Sequence, residues 1–194
     1  KDGAIAGPRS LEHLVDVVLH FEGDRHSALR LVRGVKNRYG PADELGCFEM
    51  REDGIVGIAD PSGLFVADRA KAAVGGCVTV THEGRRALAA EIQTLVTPAG
   101  HGGAPRRAVA DLDSARVAMV LAVLMRHGRV RLGDADVHAA TVGGIAVREP
   151  GADLAIAIAA ASAASGTPVP PTLCAIGEVA LSGDIRRTGG MDRR

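Results

Sequence analysis

The sequence predicts a mixed α/β or α+β protein. Short β-type runs alternate along the chain with two helical segments, a pattern typical of strands and helices packed in layers. Apolar residues make up 46% of the 194 residues, while aromatic residues make up only 2%. A core of Ala, Val, Leu and Ile suits close packing of helices on a sheet. This length allows one large domain or two small ones.

The first part of the chain is predicted to form mainly strands. A charged turn at residues 51–54 follows them, and we place a domain boundary near residue 53, giving domains over 1–52 and 53–194. The strand at 17–21 is expected to be buried because it is a nearly continuous apolar run. The predicted elements are a short helix over 11–15 capped by Ser10, and strands at 17–21, 28–35 and 47–50.

The second part alternates between strands and helices. Glu83, Gly84 and Arg85 separate two β-type runs, which predicts a hairpin. A Gly- and Pro-rich loop over 98–105 has His101 at its centre. The predicted elements are a turn or helix start at 61–63, strands at 74–81 and 86–96, a helix capped by Asp111 or Asp113 and ending at Arg126, a strand over 136–147 interrupted by Gly143 and Gly144, a helix over 152–164 and a strand over 173–181.

Composition excludes several classes of function. The 23 cationic residues balance the 23 acidic ones, so no net charge draws the chain to DNA or to a membrane. The three Cys form no CxxC pair and the seven His form no metal-binding spacing, so we expect no metal site. The apolar run at 154–164 is shorter than the ~20 residues that a membrane span needs, and we expect a cytoplasmic protein. The abrupt start at Lys1 suggests a piece of a larger protein.

Clusters of cations could give the neutral chain a local basic face. Lys36 and Arg38 are one residue apart, so in an extended chain both would project to one face and could bind phosphate or another polyanion. A solvated basic turn is the alternative for this pair and for every other cluster. The clusters are Arg30 to Arg38, with Lys1 and Arg9 upstream, and the pairs Arg85-Arg86, Arg106-Arg107, Arg186-Arg187 and Arg193-Arg194. Together they suggest one basic face, balanced by acidic surface elsewhere, that would contact phosphates without reading sequence.

Several stretches resemble one family, the bacterial DNA repair protein RadA, also called Sms. Residues 36–40, Lys-Asn-Arg-Tyr-Gly, are similar to the family signature Lys-Asn-Arg-Phe-Gly, with Tyr in place of Phe. The resemblance covers essentially the whole chain. The other matching stretches are Lys-Asp-Gly-Ala-Ile-Ala-Gly-Pro-Arg at 1–9, Leu-Glu-His at 11–13, Phe-Glu-Gly-Asp at 21–24, Glu149-Pro150, Ala-Asp-Leu-Ala at 152–155, Gly-Glu-Val at 177–179 and Leu-Ser-Gly at 181–183.

The resemblance implies the end of a RecA-like ATPase domain followed by a Lon-protease-like domain. The resemblance also implies that members of the family form hexameric rings, which use ATP and magnesium to move on single-stranded DNA and promote branch migration. The recombinase RecA and a replicative helicase are the candidate partners. The chain has no Walker A loop, so we expect no ATP hydrolysis by it alone. Lys36 and Arg38 would act in trans on the neighbour's ATP. Lys1, Arg9, Arg106 and Arg107 would contact DNA, and the protein would be nucleoid-associated.

The Lon-like resemblance also raises a protease hypothesis. Aligned with active Lon, Asp153 stands where the nucleophilic Ser would be, and Asp192 stands where the Lys base would be. A carboxylate cannot replace the activated hydroxyl, and two facing carboxylates would repel each other, so we expect no peptidase activity. The remaining alternative is a purely structural module that assembles subunits without touching DNA; such a surface should be apolar rather than basic.

Overall fold

The computed structural model confirms the mixed α/β class. It describes residues 13–23, 28–42, 44–64, 66, 72–84, 86–100 and 104–193. The contacts divide the chain into two compact units. The first unit runs up to Pro61 and includes the tip at 83–86, and the second consists of 62–82 and of the chain from Ala87 onward.

The first unit is built on a four-stranded antiparallel sheet in the order β1-β2-β3-β4. The first three strands were predicted; β4 was missed because glycines flank its two apolar residues. The predicted boundary at residue 53 falls in the tight β3–β4 turn, whereas the units divide after Pro61. The strands are β1 Val17–Glu22, β2 Leu29–Asn37, β3 Leu45–Arg51 and β4 Gly54–Gly57.

The prediction that β1 is buried is wrong. Leu19 is 55% exposed and Phe21 is 64% exposed. Among the described strands β1 is an edge strand paired with β2, and burial in this sheet is concentrated on β3, at Leu45 and Cys47. An apolar run identifies a strand, but it does not say whether a second layer covers that strand.

The second unit contains a four-stranded sheet in the order β5-β6-β8-β7 and two helices that pack on each other. β7 runs parallel to β8, while β6 runs antiparallel to it. The bounds are β5 Gly76–Glu83, β6 Arg86–Pro98, β7 Arg107–Ala110, α1 Ser114–Arg126, β8 Ala135–Thr141, α2 Asp153–Ser165, β9 Glu178–Val179 and β10 Ile185–Arg186.

The two helices predicted in the second unit and the hairpin are confirmed, whereas the helix predicted over 11–15 begins outside the described residues. The strands predicted over 136–147 and 173–181 are shorter than expected, the first being β8, which ends at Thr141. Asp113 caps α1, since its side chain accepts a hydrogen bond from the Arg116 backbone N–H at 3.0 Å. The predicted strand at 173–181 is reduced to the two-residue β9 and an isolated bridge between Cys174 and Val78, with Gly177 lying between them. The four-residue β7 was missed because it is too short to show a period.

An aliphatic core joins the helices to the sheet in the second unit. Leu88 and Ile92 of β6 are fully buried, as are Val117 and Leu121 of α1. Three of the six buried residues of the facing helix α2 are alanines, and such small side chains allow two helices to pack closely. This packing fixes the first turn of α1 and the first turn of α2 relative to each other, and those two turns carry the charged pair described below.

Candidate functional site

The Lys-Asn-Arg-Tyr-Gly segment forms a turn at the end of β2 that is tied to Asp16. The Arg38 N–H donates to the Asp16 carbonyl at 3.0 Å, and the Arg38 guanidinium lies 3.0 Å from the Asp16 carboxylate. The Tyr39 hydroxyl donates to the same carboxylate at 3.1 Å. Asn37 shapes the turn itself: its side-chain oxygen accepts from the Tyr39 N–H at 3.0 Å, and its NH₂ donates to the Pro41 carbonyl at 3.3 Å. One acidic side chain thus holds both the cation and the ring of the motif.

The two cations of this turn differ in setting. Lys36 lies within β2, opposite Val18, and is half-buried. Arg38 lies beyond the strand and its side chain is 68% exposed, while that of Asp16 is 45% exposed. An ion pair this exposed is weak, so an incoming phosphate can compete for the guanidinium. The hydrogen bonds fix the backbone of the turn, so the turn can present the exposed Arg38 side chain to an anion.

Asp153, the position aligned with the protease nucleophile, is the buried half of an ion pair. Its side chain is 1% exposed at the first turn of α2. Arg116 of α1 donates to its two oxygens at 3.0 and 2.5 Å, and the Val179 N–H donates to it at 3.1 Å. The hydrogen bond to Asp153 is the main cause that raises the pKa of Arg116, and burial of the guanidinium opposes it. Asp153 links α1, α2 and β9.

The predicted repulsion between two facing carboxylates is replaced by this neutralised pair. Asp192 lies exposed in a short 3₁₀ turn, Met191–Arg193, and it is not among the described hydrogen-bond partners of Asp153. A carboxylate held by a bidentate arginine is a poor nucleophile and a poor base, because its charge is already neutralised. Asp153 is therefore suited to structural support.

The residues predicted to contact DNA differ in their exposure and in their contacts. Lys1 and Arg9 lie outside the described residues. Arg106 is exposed, and its N–H donates to the Asp136 carboxylate at 2.7 Å. The Arg107 guanidinium donates to three backbone carbonyls, those of Arg106, Ala135 and Leu132, at 3.0, 2.5 and 2.9 Å. Arg106 can contact phosphate, whereas Arg107 already has its donors engaged by the backbone.

Sequence reasoning missed a further group of arginines at and beyond the end of α1. Arg126, Arg129 and Arg131 are all exposed within a six-residue stretch, Arg-His-Gly-Arg-Val-Arg at 126–131, which we call the arginine loop. The three arginines are visible in the sequence, but His127 and Gly128 among them indicate only the end of a helix. Among the described residues, none of these three side chains takes part in an ion pair.

The described residues offer neither a metal site nor a membrane-spanning helix. They contain no group of three or more His, Cys, Asp or Glu side chains arranged to hold a metal ion. The helices in the described ranges are also too short or too polar to cross a membrane.

Comparison with known proteins gives close matches over the whole chain. No protein-family model matches it. It is 58% identical to a DNA repair protein RadA from Mycobacterium tuberculosis strain H37Rv, 57% identical to one from Mycolicibacterium smegmatis and 43% identical to one from Bacillus subtilis. Each match covers 100% of this chain and 40%, 41% and 42% of the respective relative.

The chain is thus an α/β protein homologous to bacterial DNA repair proteins. More narrowly, it is homologous to a C-terminal part of RadA, and it spans about two-fifths of the length of the curated relatives it matches. The resemblance read from the Lys-Asn-Arg-Tyr-Gly motif and its companion stretches is confirmed.

Proposed function

We propose that the chain acts in DNA repair as the C-terminal part of a RadA-type protein that uses ATP to move on single-stranded DNA. The observation that carries this proposal is the similarity over the full chain, at 43–58% identity, to proteins named DNA repair protein RadA. In this proposal six subunits form a ring, and the ring promotes branch migration. The recombinase RecA and a replicative helicase are the candidate partners.

In this proposal DNA contact comes from exposed cations that hold phosphates without reading bases. Arg106 supports it, because its side chain is exposed while its backbone is anchored to Asp136. Lys1 and Arg9 belong to the same proposed set. Contacts of this kind release counterions from the nucleic acid, so affinity should fall steeply as the salt concentration rises.

ATP and magnesium would be held by the part of RadA that precedes this chain in its relatives. Lys36 and Arg38 would approach the neighbouring subunit's triphosphate, where a cation stabilises the charge that develops on the transferred phosphoryl group. The residues present suit such a role, since Arg38 is exposed and Asp16 and Asn37 fix the turn that carries it. ATP would supply the energy for movement.

We further propose that the chain has no peptidase activity. The support is the engagement of Asp153 by Arg116 and by the Val179 N–H, which leaves no activated nucleophile at the aligned position. We expect no cleavage of casein by the purified chain. Detectable cleavage of casein that is abolished by Asp153→Ala or by Asp192→Ala would contradict this proposal.

Binding to fluorescent single-stranded DNA across a salt series tests the DNA-contact proposal. We expect salt-sensitive binding, and we expect Arg106→Ala to weaken it several-fold while lowering the slope of log affinity against log salt by about 0.7, the value for one phosphate contact. Arg148→Ala, which also removes one exposed arginine of the second unit, is the matched control and should change little.

A structural scaffold is the second candidate, and one observation favours it. Val17, Leu19 and Phe21 alternate along the edge strand β1 and are all exposed, which gives an apolar strip suited to subunit contact. Failure of the chain to bind DNA at low salt, together with a higher oligomer in sedimentation analysis, would replace the DNA-contact proposal with this one.

A further inference from the structure

We infer that a groove between α1, α2 and the β9–β10 hairpin is a docking site for an acidic amphipathic segment of a partner protein, whose apolar side chains enter the groove. We call it the interhelix groove. It has a volume of about 330 Å³, and its walls come from all three elements. The inference does not depend on the proposed contact with DNA.

The wall that α2 contributes has no polar side chain. The stripe of α2 that lines the groove consists of Leu154, Ala157, Ile158 and Ala161, at positions i, i+3, i+4 and i+7 of the helix. Every residue of α2 over 154–161 is apolar, and the four of the stripe are only half-buried. A helix that is apolar all round is normally covered on every side. The stripe therefore calls for a cover that the described residues do not supply.

The opposite walls are apolar as well. α1 contributes Val120, Val123 and Leu124, and β10 contributes Ile185. Ile185 is 60% exposed, and Leu181, at the tip of the hairpin, is 71% exposed. Aliphatic side chains exposed beside an apolar groove are typical of a surface that binds another protein.

A contact between the end of α1 and the hairpin fixes the shape of the groove. His127 Nε2 lies 3.1 Å from the Leu181 carbonyl oxygen. Gly183 has φ 90° and packs against the same imidazole, where a Cβ would lie 2.9 Å from the His127 Cγ. Only glycine therefore suits both the backbone and the space at this position. A groove already formed in the free chain needs little reordering when a partner binds.

Exposed cations flank the groove. Arg126 and Arg129 of the arginine loop lie on either side of the lining residue His127 in the sequence, and Arg186 and Arg187 follow the lining residue of β10. All four are exposed, and none takes part in an ion pair in the described part of the chain. They are available to a partner's carboxylates.

The acids of the hairpin are fewer and already have partners. Asp184 accepts a hydrogen bond from the Ser182 hydroxyl at 2.7 Å. Glu178 lies 3.9 Å from the Arg116 guanidinium. Four cations against these two acids give the rim a positive charge, and a complementary partner is acidic.

An amphipathic helical segment matches both the walls and the rim. The stripe over 154–161 extends for about 10 Å, which is the length over which a helix presents apolar side chains at i, i+3, i+4 and i+7. The backbone of DNA would leave the aliphatic walls uncovered. A second copy docked through the same surface would bring the arginines of both chains together, which like-charge repulsion disfavours.

Fluorescence anisotropy with a labelled synthetic peptide tests binding to the full chain. The probe is a helix-forming peptide of about 16 residues, with leucines at i, i+3, i+4 and i+7 and glutamates on its other faces. One comparison peptide carries lysine for each glutamate, and another carries serine for each leucine. We expect the glutamate peptide to bind at least about tenfold more tightly than either comparison peptide.

Two pairs of variants test the groove itself. Ile185→Ser should weaken binding at least about fivefold, whereas Leu95→Ser, at a residue of β6 that is also 60% exposed, should stay within about twofold of wild type. Ala161→Phe fills the groove and should abolish binding, whereas Ala122→Phe, at an exposed residue of α1 outside the groove, should not. Circular dichroism melting checks that each variant is folded.

A third pair tests the rim. Arg126→Gln/Arg129→Asn should weaken binding of the glutamate peptide several-fold at low salt and reduce its salt dependence. Asn is chosen at 129 because Arg129 has φ 55°, which Asn tolerates. Arg106→Gln/Arg148→Gln removes two exposed arginines outside the groove lining and should change the affinity little.

Several results would overturn the inference. Equal binding of the glutamate and lysine peptides would rule out an acidic partner, and equal affinities of Ile185→Ser and Leu95→Ser would rule out the groove. If the peptide did not bind and Ala161→Phe dissociated an oligomer that Ala122→Phe left intact in sedimentation analysis, a second copy would be the occupant. The DNA-contact proposal has its own assay and stands or falls separately.

Discussion

Replacing Asp153 by alanine is expected to lower the free energy of unfolding by about 3 kcal/mol, because it removes the bidentate partner of the partly buried Arg116 cation and leaves it only Glu178, at 3.9 Å. Asp153 is 1% exposed and Arg116 is 25% exposed, so water can compensate for only part of the loss. The Val179 N–H loses its acceptor as well. Urea denaturation of the chain measures the change, and a shift of the midpoint at constant slope would show that stability alone has changed.

Two comparisons separate the ion pair from ordinary packing. Asp192→Ala alters the exposed carboxylate of the second aligned protease position and should leave stability within about 0.5 kcal/mol of wild type. Asp153→Ala/Arg116→Leu removes both charges and should be more stable than Asp153→Ala alone, because no unpaired charge is left buried. If Asp153→Ala were as stable as Asp192→Ala, the contacts of Asp153 with α1 and β9 would make no net contribution to the free energy of unfolding.

Loss of Arg38 or Lys36 is expected to reduce DNA-stimulated ATP hydrolysis by on the order of 10²–10³-fold in a full-length RadA-type protein that carries this chain. A cation supplied in trans stabilises phosphoryl-transfer charge, and its removal should lower kcat more than it changes ATP affinity. Arg38→Ala and Lys36→Ala are measured by steady-state ATPase and branch-migration assays. Arg51→Ala, another exposed arginine of the first unit, is the matched control.

Mixing subunits tests whether these cations act on a neighbour. Rings that combine Arg38→Ala subunits with subunits unable to bind ATP should regain part of the activity, because some intact ATP sites then face an intact Arg38. A cation acting within its own subunit would give no recovery. If Lys36→Ala retained wild-type ATPase and branch migration, the proposed role of this motif would be wrong.

Local patterns in the sequence predicted the helices and most strands. Both helices carry their own period and end signals, and Asp113 caps α1 as one of the two predicted candidates. Layering was harder to predict: an apolar run such as β1 forms a strand whether or not another layer covers it. The four-residue β7 exists because β8 lies beside it, and no pattern within its own residues indicates that neighbour.

The candidate site was less predictable because its key contacts are distant in sequence. Asp153 and Arg116 are 37 residues apart, and nothing near either one indicates the other. The alignment drew attention to Asp153, but only the packing of α1 on α2 gives it a structural partner. Arg107 was predicted as a phosphate contact from its place in a basic pair, while the neighbouring carbonyls that hold it come from residues 132–135.

The hydrogen bond between Tyr39 and Asp16 also gives the protein an optical reporter. Tyr39 is the one tyrosine of the chain, which has no tryptophan, and it is 81% exposed in the Lys-Asn-Arg-Tyr-Gly turn. Emission excited in the tyrosine band therefore arises from this turn alone. A carboxylate that accepts the phenol proton quenches such emission, so a phosphate that draws Arg38 away from Asp16 should change the intensity without any attached dye.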